Sequence, residues 1–341
     1  MTQFVSLSSG SNGNCYYIGN ETCGILIDAG IGTRTIKKRL GEVGLSVDRV
    51  RCVLVSHDHF DHIRSLGTFA ERFQKPVYAT APCIRAFDRH YCTRGYLGPG
   101  RCHELVPGEW LEIESAHDGP QVPGARRGSV VPTSDTHEGI RVLPFRVPHD
   151  ATDTVGFYID FYGETFTFLT DLGAVTDDAV LYASRSCHLI VEANYDPEML
   201  RTGGYPVDLQ RRIRGGHGHL SNAQTADLIL RALTAGEGPV ATTDLSFPGE
   251  QSGGSFSGAE TSLGQKSPRC ASAPSDVIAG PFLQDIFLCH LSENNNTPEL
   301  ALATVSAALS AASRFSHPSI PSSGIRLVAL PRREPSQIFS W

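Results

Sequence analysis

Six residues, His57-Asp58-His59-Phe60-Asp61-His62, directly follow the apolar run Val53-Leu54-Val55 and constrain this chain more than any other stretch. Neutral imidazole nitrogen and carboxylate oxygen are the donors that Zn²⁺ and related divalent ions take at about 2.0–2.2 Å. A buried strand that delivers such a cluster into a turn predicts a metal site at the strand's end. Each ion needs three or four protein ligands, and six adjacent residues cannot surround two ions. Further ligands must come from other strand ends.

Composition limits the folds that can supply them. With 40% hydrophobic residues among 341, the chain can bury a substantial core, and wholesale disorder is excluded. No run approaches the roughly 18 apolar residues of a membrane span. The start Met-Thr-Gln-Phe-Val-Ser enters a strand pattern without the basic and apolar regions of a signal peptide, so a cytoplasmic protein with no membrane partner is expected. Nine cysteines, never spaced Cys-x-x-Cys, argue against a disulfide framework and a Cys-rich zinc site. The net charge of −7 gives no global attraction to nucleic acid. A local patch would be needed, and Arg211-Arg212-Ile213-Arg214 is either that or a solvated surface.

Residues 3–8, 14–19 and 24–28 read as three short strands separated by Gly/Ser/Asn turns. Ile36, Leu40 and Val43 predict a helix over 33–43, and Val50 to Ser56 reads as a buried strand leading into the histidines. Leu66, Phe69, Ala70 and Phe73 predict a helix starting near Asp61. A second strand set is expected at 140–147, 154–161, 165–170 and 187–192. Ser221 and Gln224 form a capping box for a helix to Ala235, Asp285 to Cys289 reads as a strand, and Thr297-Pro298 opens a helix to Ala312. Two similar blocks, each a meander followed by alternation, suggest two packed sheets with helices outside. Residues 1–316 read as one domain with surface insertions at about 117–136 and 239–281. Residues 317–341, with four prolines, read as a C-terminal tail in which Ile325 to Leu330 is an edge strand or a docking segment.

Three strand ends carry the missing donor types: Val147-Pro148-His149-Asp150, Leu169-Thr170-Asp171-Leu172-Gly173 and Leu288-Cys289-His290-Leu291. With Leu26-Ile27-Asp28-Ala29-Gly30, the Ser9 to Asn14 loop, Gly218-His219-Leu220-Ser221-Asn222 and His290 to Asn295, this order resembles the metallo-β-lactamase fold superfamily. Within it the chain is similar to the YycJ (WalJ) family over residues 3 to about 312. The resemblance implies an α/β fold, a four-layer αββα sandwich of two mixed β-sheets with outer helices. It implies that His57, His59 and His149 hold one metal, that Asp61, His62 and His290 hold a second, and that Asp171 bridges them. The implied cofactors are two divalent ions, Zn²⁺ in preference to Mn²⁺. The implied activity is phosphodiester hydrolysis by a metal-bridging hydroxide, as in a DNA or RNA nuclease, including a 5′-to-3′ exonuclease, with nucleic acid as partner.

Around that centre, Asp61 and His219 read as catalytic, His219 protonating the leaving group or contacting phosphate. A ligand or capping role for His219 stands beside this. Asp28 and Asp58 read as carboxylates that orient ligand histidines, with plain turn roles as the alternative. Ser11, Asn12 and Asn14 read as substrate donors, or simply as a hairpin turn. Competing functions are a small ester, thioester or cyclic phosphodiester hydrolase, a metal-binding protein without turnover, and a diiron redox module. His59 speaks against the last, because a diiron site prefers a carboxylate there.

Overall fold

The computed structural model describes residues 1–113, 139–235, 283–314 and 324–341. Both expected insertions, at about 117–136 and 239–281, lie outside the described residues. In chain order the strands are β1 (Gln3–Ser8), β2 (Cys15–Gly19), β3 (Gly24–Ile27), β4 (Val50–Leu54), β5 (Val77–Thr80), β6 (Cys102–Leu105), β7 (Leu111–Ile113), β8 (Ile140–Arg146), β9 (Val155–Phe161), β10 (Glu164–Leu169), β11 (His188–Glu192), β12 (Asp285–Cys289), β13 (Arg326–Ala329) and β14 (Phe339–Ser340). The helices are α1 (Thr33–Glu42), α2 (Phe60–Ile63), α3 (Leu66–Phe73), α4 (Ala81–Ala86), α5 (Asp177–Ser184), α6 (Pro197–Thr202), α7 (Val207–Arg214), α8 (Asn222–Thr234) and α9 (Pro298–Arg314).

The strands form two seven-stranded sheets, ordered β14-β1-β2-β3-β4-β5-β6 and β13-β12-β11-β10-β9-β8-β7. Each opens with an antiparallel meander and continues with parallel strands, β3 to β6 in one and β10 to β13 in the other. Side chains alternate across a strand, so strands apolar on both faces need cover on both. Phe4, Ile18, Ile25 and Leu54 of the first sheet meet Phe157, Phe168, Ile190 and Phe287 of the second between the sheets. Val5, Leu26 and Val53 pack outward with Ile36 and Leu40 of α1 and Phe69 of α3. Leu189, Ile286 and Leu288 pack outward with Ala179 of α5, Leu228 of α8 and Val305 of α9. These are the four layers of the expected αββα sandwich.

The helix expected from Asp61 breaks at Ser65, whose hydroxyl donates to the carbonyls of Ala29 and Ile31 and so pins the turn to the end of β3. The capping box forms as read, with Ser221 Oγ and Gln224 exchanging bonds at the start of α8. Strands β5, β6 and β7 and helices α4 to α7 are too short, or carry too few buried apolar residues, to show a period in the sequence. Part of the segment read as a tail completes both sheets. β13 pairs in parallel with β12 and β14 pairs with β1, covering the two edges that would otherwise lie open. Of the two readings for Ile325 to Leu330, the edge strand is the one observed. Among the described residues no helix is long and apolar enough to cross a membrane.

Candidate metal centre

The parallel strands of both sheets end at one rim of the sandwich. Asp28 follows β3, His57 to His62 follow β4, His149 follows β8, Asp171 follows β10, Glu192 ends β11 and His290 follows β12. Asp28 and His290 both adopt left-handed backbone, φ 60° and 50°, which costs roughly 1–2 kcal/mol for a residue with a Cβ. Fixed partners hold them there: Asp28 N donates to Leu54 O (2.8 Å) and His290 N donates to Ser9 Oγ (3.0 Å).

The tautomers of three histidines follow from their outer nitrogens. Asp28 Oδ2 lies 2.7 Å from His62 Nδ1 and accepts from Ser56 Oγ at 2.8 Å, and Ser56 Oγ lies 3.0 Å from His57 Nδ1. His149 Nδ1 donates to Gly218 O at 2.8 Å. Each ring therefore carries a proton on Nδ1 and turns Nε2 inward, the arrangement that fixes metal-binding imidazoles.

At this rim the donor atoms of the described residues form four overlapping groups, among them Asp171, Glu192, His219 and His290, and His57, His62 and Asp171. His57, His59 and His149 converge in a third, and Asp61, His62 and His290 in a fourth, the donor atoms of each lying within 4.8 Å of one another. Two donors on a tetrahedral ion at about 2.0–2.1 Å stand about 3.3 Å apart. The observed separations match: His59 Nδ1 to His149 Nε2 is 3.2 Å, and Asp61 Oδ2 is 3.4 Å from His290 Nε2 and 3.5 Å from His62 Nε2. Asp171 joins the groups, at 3.1 Å from His62 Nε2, 3.3 Å from His290 Nδ1 and 3.7 Å from His149 Nε2. His57 Nε2 is fully buried and has no hydrogen-bond partner, and Asp171 Oδ2 has none of proper geometry. A buried lone pair without a partner costs about 1–3 kcal/mol, and a cation there relieves it. The residues thus fit divalent metal.

Electrostatics agree. Burial, reinforced by His62, pushes the His57 imidazole well down, and burial also lowers His149, so both stand neutral and ready to ligate. At His290 burial opposes the charge, but Asp171, Asp61 and Glu192 outweigh it and raise the pKa to about 10. His62 is raised well above its ordinary value by Asp171, Asp28 and Asp61 against the same burial. Protons on these two rings balance the buried carboxylates, and ligation of a cation must displace them.

A second His-bearing group, Glu164, Cys187 and His188, stands at the starting ends of β10 and β11. Both His188 nitrogens are engaged there by carboxylates, Asp285 at 2.7 Å and Glu164 at 3.1 Å. Among the described residues, the rim cluster is the His-bearing group that leaves donors free to ligate.

Several sequence-predicted residues take other positions. Asp58 does not orient a ligand histidine: it accepts from Thr152 N (3.0 Å) and Thr152 Oγ1 (2.6 Å) and lies 3.2 Å from His90 Nε2. The backbone turns it away from the cluster, and it ties the histidine turn to the loop after His149. Asn14 is buried beneath the cluster, 3.3 Å from Asp61 Oδ2 and 3.0 Å from His62 Nε2, and does not face a substrate. Asn12 donates to Glu293 Oε2 on the surface (2.9 Å), while Ser11 lines the cleft. Gly30 shows how tightly this floor is built, since a Cβ there would lie 1.6 Å from Asp61 O.

Glu192 went unread, although a carboxylate closing the apolar run Leu189-Ile190-Val191 repeats the signal of Asp171. It is fully buried, accepts from Leu172 N (2.8 Å) and Leu220 N (3.0 Å), and holds His219 Nδ1 at 3.0 Å. Arg332 had no signal at all. Its guanidinium donates to the carbonyls of Leu291, Ser292 and Asn296, and its own carbonyl accepts from Ser8 Oγ and Ser9 N, bracing both loops around His290.

Above the cluster lies a cleft of about 340 Å³, lined by Ser11, Phe60, Tyr205, Leu209, Arg212 and His219 among others. The basic run falls on α7, whose Leu209, Arg212 and Ile213 face this cleft. That explains why α7 shows no core-facing stripe.

An αββα sandwich whose strand ends converge on histidines and carboxylates is the architecture of the metallo-β-lactamase class of metal-dependent hydrolases. Residues 24–236 match the family model described as Beta-lactamase superfamily domain, and the chain belongs to that family. It is 29% identical over 231 residues to Exodeoxyribonuclease YycJ of Bacillus anthracis, covering 68% of this chain and 77% of that one. It is 28% identical over 227 residues to Exodeoxyribonuclease WalJ of Streptococcus pneumoniae, covering 67% and 75%. Among solved structures, the metallo-β-lactamase fold protein YhfI of Bacillus subtilis matches all of both chains at a TM-score of 0.56 and 13% identity, which reflects a shared fold. The chain is a metal-dependent hydrolase of this fold.

Proposed function

We propose that the chain is a two-metal phosphodiesterase that cuts nucleic acid. The observation that carries this reading is the pair of three-donor groups with one buried carboxylate, Asp171, within 3.7 Å of a histidine of each, on the floor of an open cleft. His57, His59 and His149 would hold one divalent ion, and Asp61, His62 and His290 the other, with Asp171 between them. Nitrogen and oxygen donors of this kind suit Zn²⁺ and also accept Mn²⁺. Ions bound there supply the Lewis acidity and the lowered water pKa that hydrolysis of a diester needs.

The chain's own residues do the rest. His219 lines the cleft with Nδ1 held by Glu192, which leaves Nε2 to hand a proton to the departing oxygen. Burial disfavours its charge, but Glu192 and Asp171 outweigh burial and raise its pKa, so the ring holds that proton. Asp150 positions Arg212 on the cleft wall, where its cation draws in a polyanion that the net charge of −7 would repel. The two exodeoxyribonuclease relatives support nucleic acid as the substrate.

Metal-depleted protein reloaded with Zn²⁺ or Mn²⁺ is expected to hydrolyse bis-p-nitrophenyl phosphate. It is also expected to cut at least one member of a panel of 5′-phosphorylated and unphosphorylated single- and double-stranded DNA and RNA. Polarity and strand preference are read from the same gels. Turnover of esters or thioesters with no cleavage of any diester would overturn the reading.

A further inference from the structure

Large apolar side chains are rarely left in water, and among the described residues only six are: Met1, Phe60, Tyr91, Tyr96, Val207 and Leu300. Two of them pair at the mouth of the cleft. Phe60, 43% exposed, stands in the metal motif between His59 and Asp61, and Tyr91 is 73% exposed with its ring centroid 5.6 Å away at 35°. We propose that Phe60 and Tyr91 form a platform on which a base of a single-stranded nucleic acid stacks while an adjoining phosphodiester lies at the metal cluster. This rests on the phosphodiesterase reading and adds to it a site for the base.

Three observations carry it. Phe60 lines the same cleft as Asp61, Asp171 and His219, so a ligand on its ring adjoins the reacting centre. The rim is also firmly built. Asp58, inside the metal motif, holds His90 at 3.2 Å, and Thr93 Oγ1 donates to Phe87 O at 2.6 Å, so Tyr91 projects from a segment anchored on both sides. Gly67 lets that segment approach α3 closely, since a Cβ there would lie 2.5 Å from Cys92 O. An anchored exposed ring gives contact area at little loss of conformational freedom.

Charge selects the occupant. In a chain of net −7, the residues around Tyr91 in sequence carry exposed Arg85, Arg89 and Arg94 against the single carboxylate Asp88. The Arg64 guanidinium carbon lies 5.7 Å from the centre of the Phe60 ring. Aromatic faces on a basic surface are what flexible nucleic acid strands stack and track along, and every base offers a π-face. The role also accounts for Asp58, whose bonds serve the rim and not the ligands.

The test is an abasic scan along a 5′-phosphorylated single-stranded DNA, read as kcat/KM for the metal-loaded protein. Removing the base at one position near the scissile phosphate is expected to slow the wild type about tenfold, in keeping with the stacking of one base. Tyr91→Phe, which keeps the ring, should retain that discrimination, and Tyr91→Ala should reduce it to within about twofold. Cleavage with undiminished discrimination in Tyr91→Ala, or with none at any position in the wild type, overturns the platform. A dimer in solution that Tyr91→Ala dissolves overturns it too, by assigning the rings to a second copy of the chain. If the wild type cuts no strand, the phosphodiesterase reading fails separately. The fluorescence of 2-aminopurine in a bound strand then decides the platform, quenched by the wild type and not by Tyr91→Ala if the platform stands.

Discussion

Asp61→Ala is expected to lower kcat/KM for both bis-p-nitrophenyl phosphate and nucleic acid by at least about a thousandfold, or roughly 4 kcal/mol of transition-state stabilisation. Asp61 Oδ2 is the only carboxylate oxygen in the group with His62 and His290. Without it two imidazoles and a share of Asp171 remain, with His62 drawn toward its protonated form by Asp171 and Asp28 and His290 by Asp171 and Glu192. Two protonated rings repel a cation. The side chain is one-quarter exposed, so its removal opens no cavity in the core and the variant is expected to fold. Circular dichroism checks the fold, metal analysis checks the loss of an ion, and steady-state kinetics check the activity. Nuclease activity at the wild-type level in a folded, purified variant would place the chemistry elsewhere in the protein.

Asp28→Asn is expected to weaken metal affinity about 10–100-fold, the usual effect of removing the partner that orients a ligand histidine. Asp28 is fully buried and accepts from Ser56 N (2.8 Å), from Ser56 Oγ (2.8 Å) and from His62 Nδ1 (2.7 Å). Asparagine keeps the size and tolerates the left-handed backbone at φ 60°. Its amide, however, must point an N–H at one of those donors. Either His62 turns, or Ser56 lets go of His57, and one ligand in each group is coupled to the fault. Competition against a chromophoric chelator measures the affinity, and an unchanged value would show that Asp28 serves only the turn.

The sequence disclosed most where the chemistry is concentrated. His57 to His62 declared a metal site because five donors in six residues have little other use. His149, Asp171 and His290 became legible by the same logic, since each follows an apolar strand, and the sandwich brings all of them to one rim. What stayed hidden depends on where side chains point. Asp58 and Asn14 have the right chemistry at the right positions, yet backbone geometry sends one to Thr152 and His90 and buries the other beneath Asp61. Arg332 lies about forty residues from the carbonyls it braces, and no local pattern reports a contact of that range. Helix α7 is harder to read because it is only eight residues long and half charged, and its apolar pair Leu209 and Ile213, spaced as in a helix, serves the cleft and not the core.

The central claim is that two ions act together across Asp171. Titrating metal-depleted protein with Mn²⁺ or Zn²⁺ while recording hydrolysis of bis-p-nitrophenyl phosphate tests it most directly. The account predicts a plateau at two equivalents per chain, with little activity at the first. A plateau at one equivalent, or hydrolysis that survives complete metal removal, would contradict it.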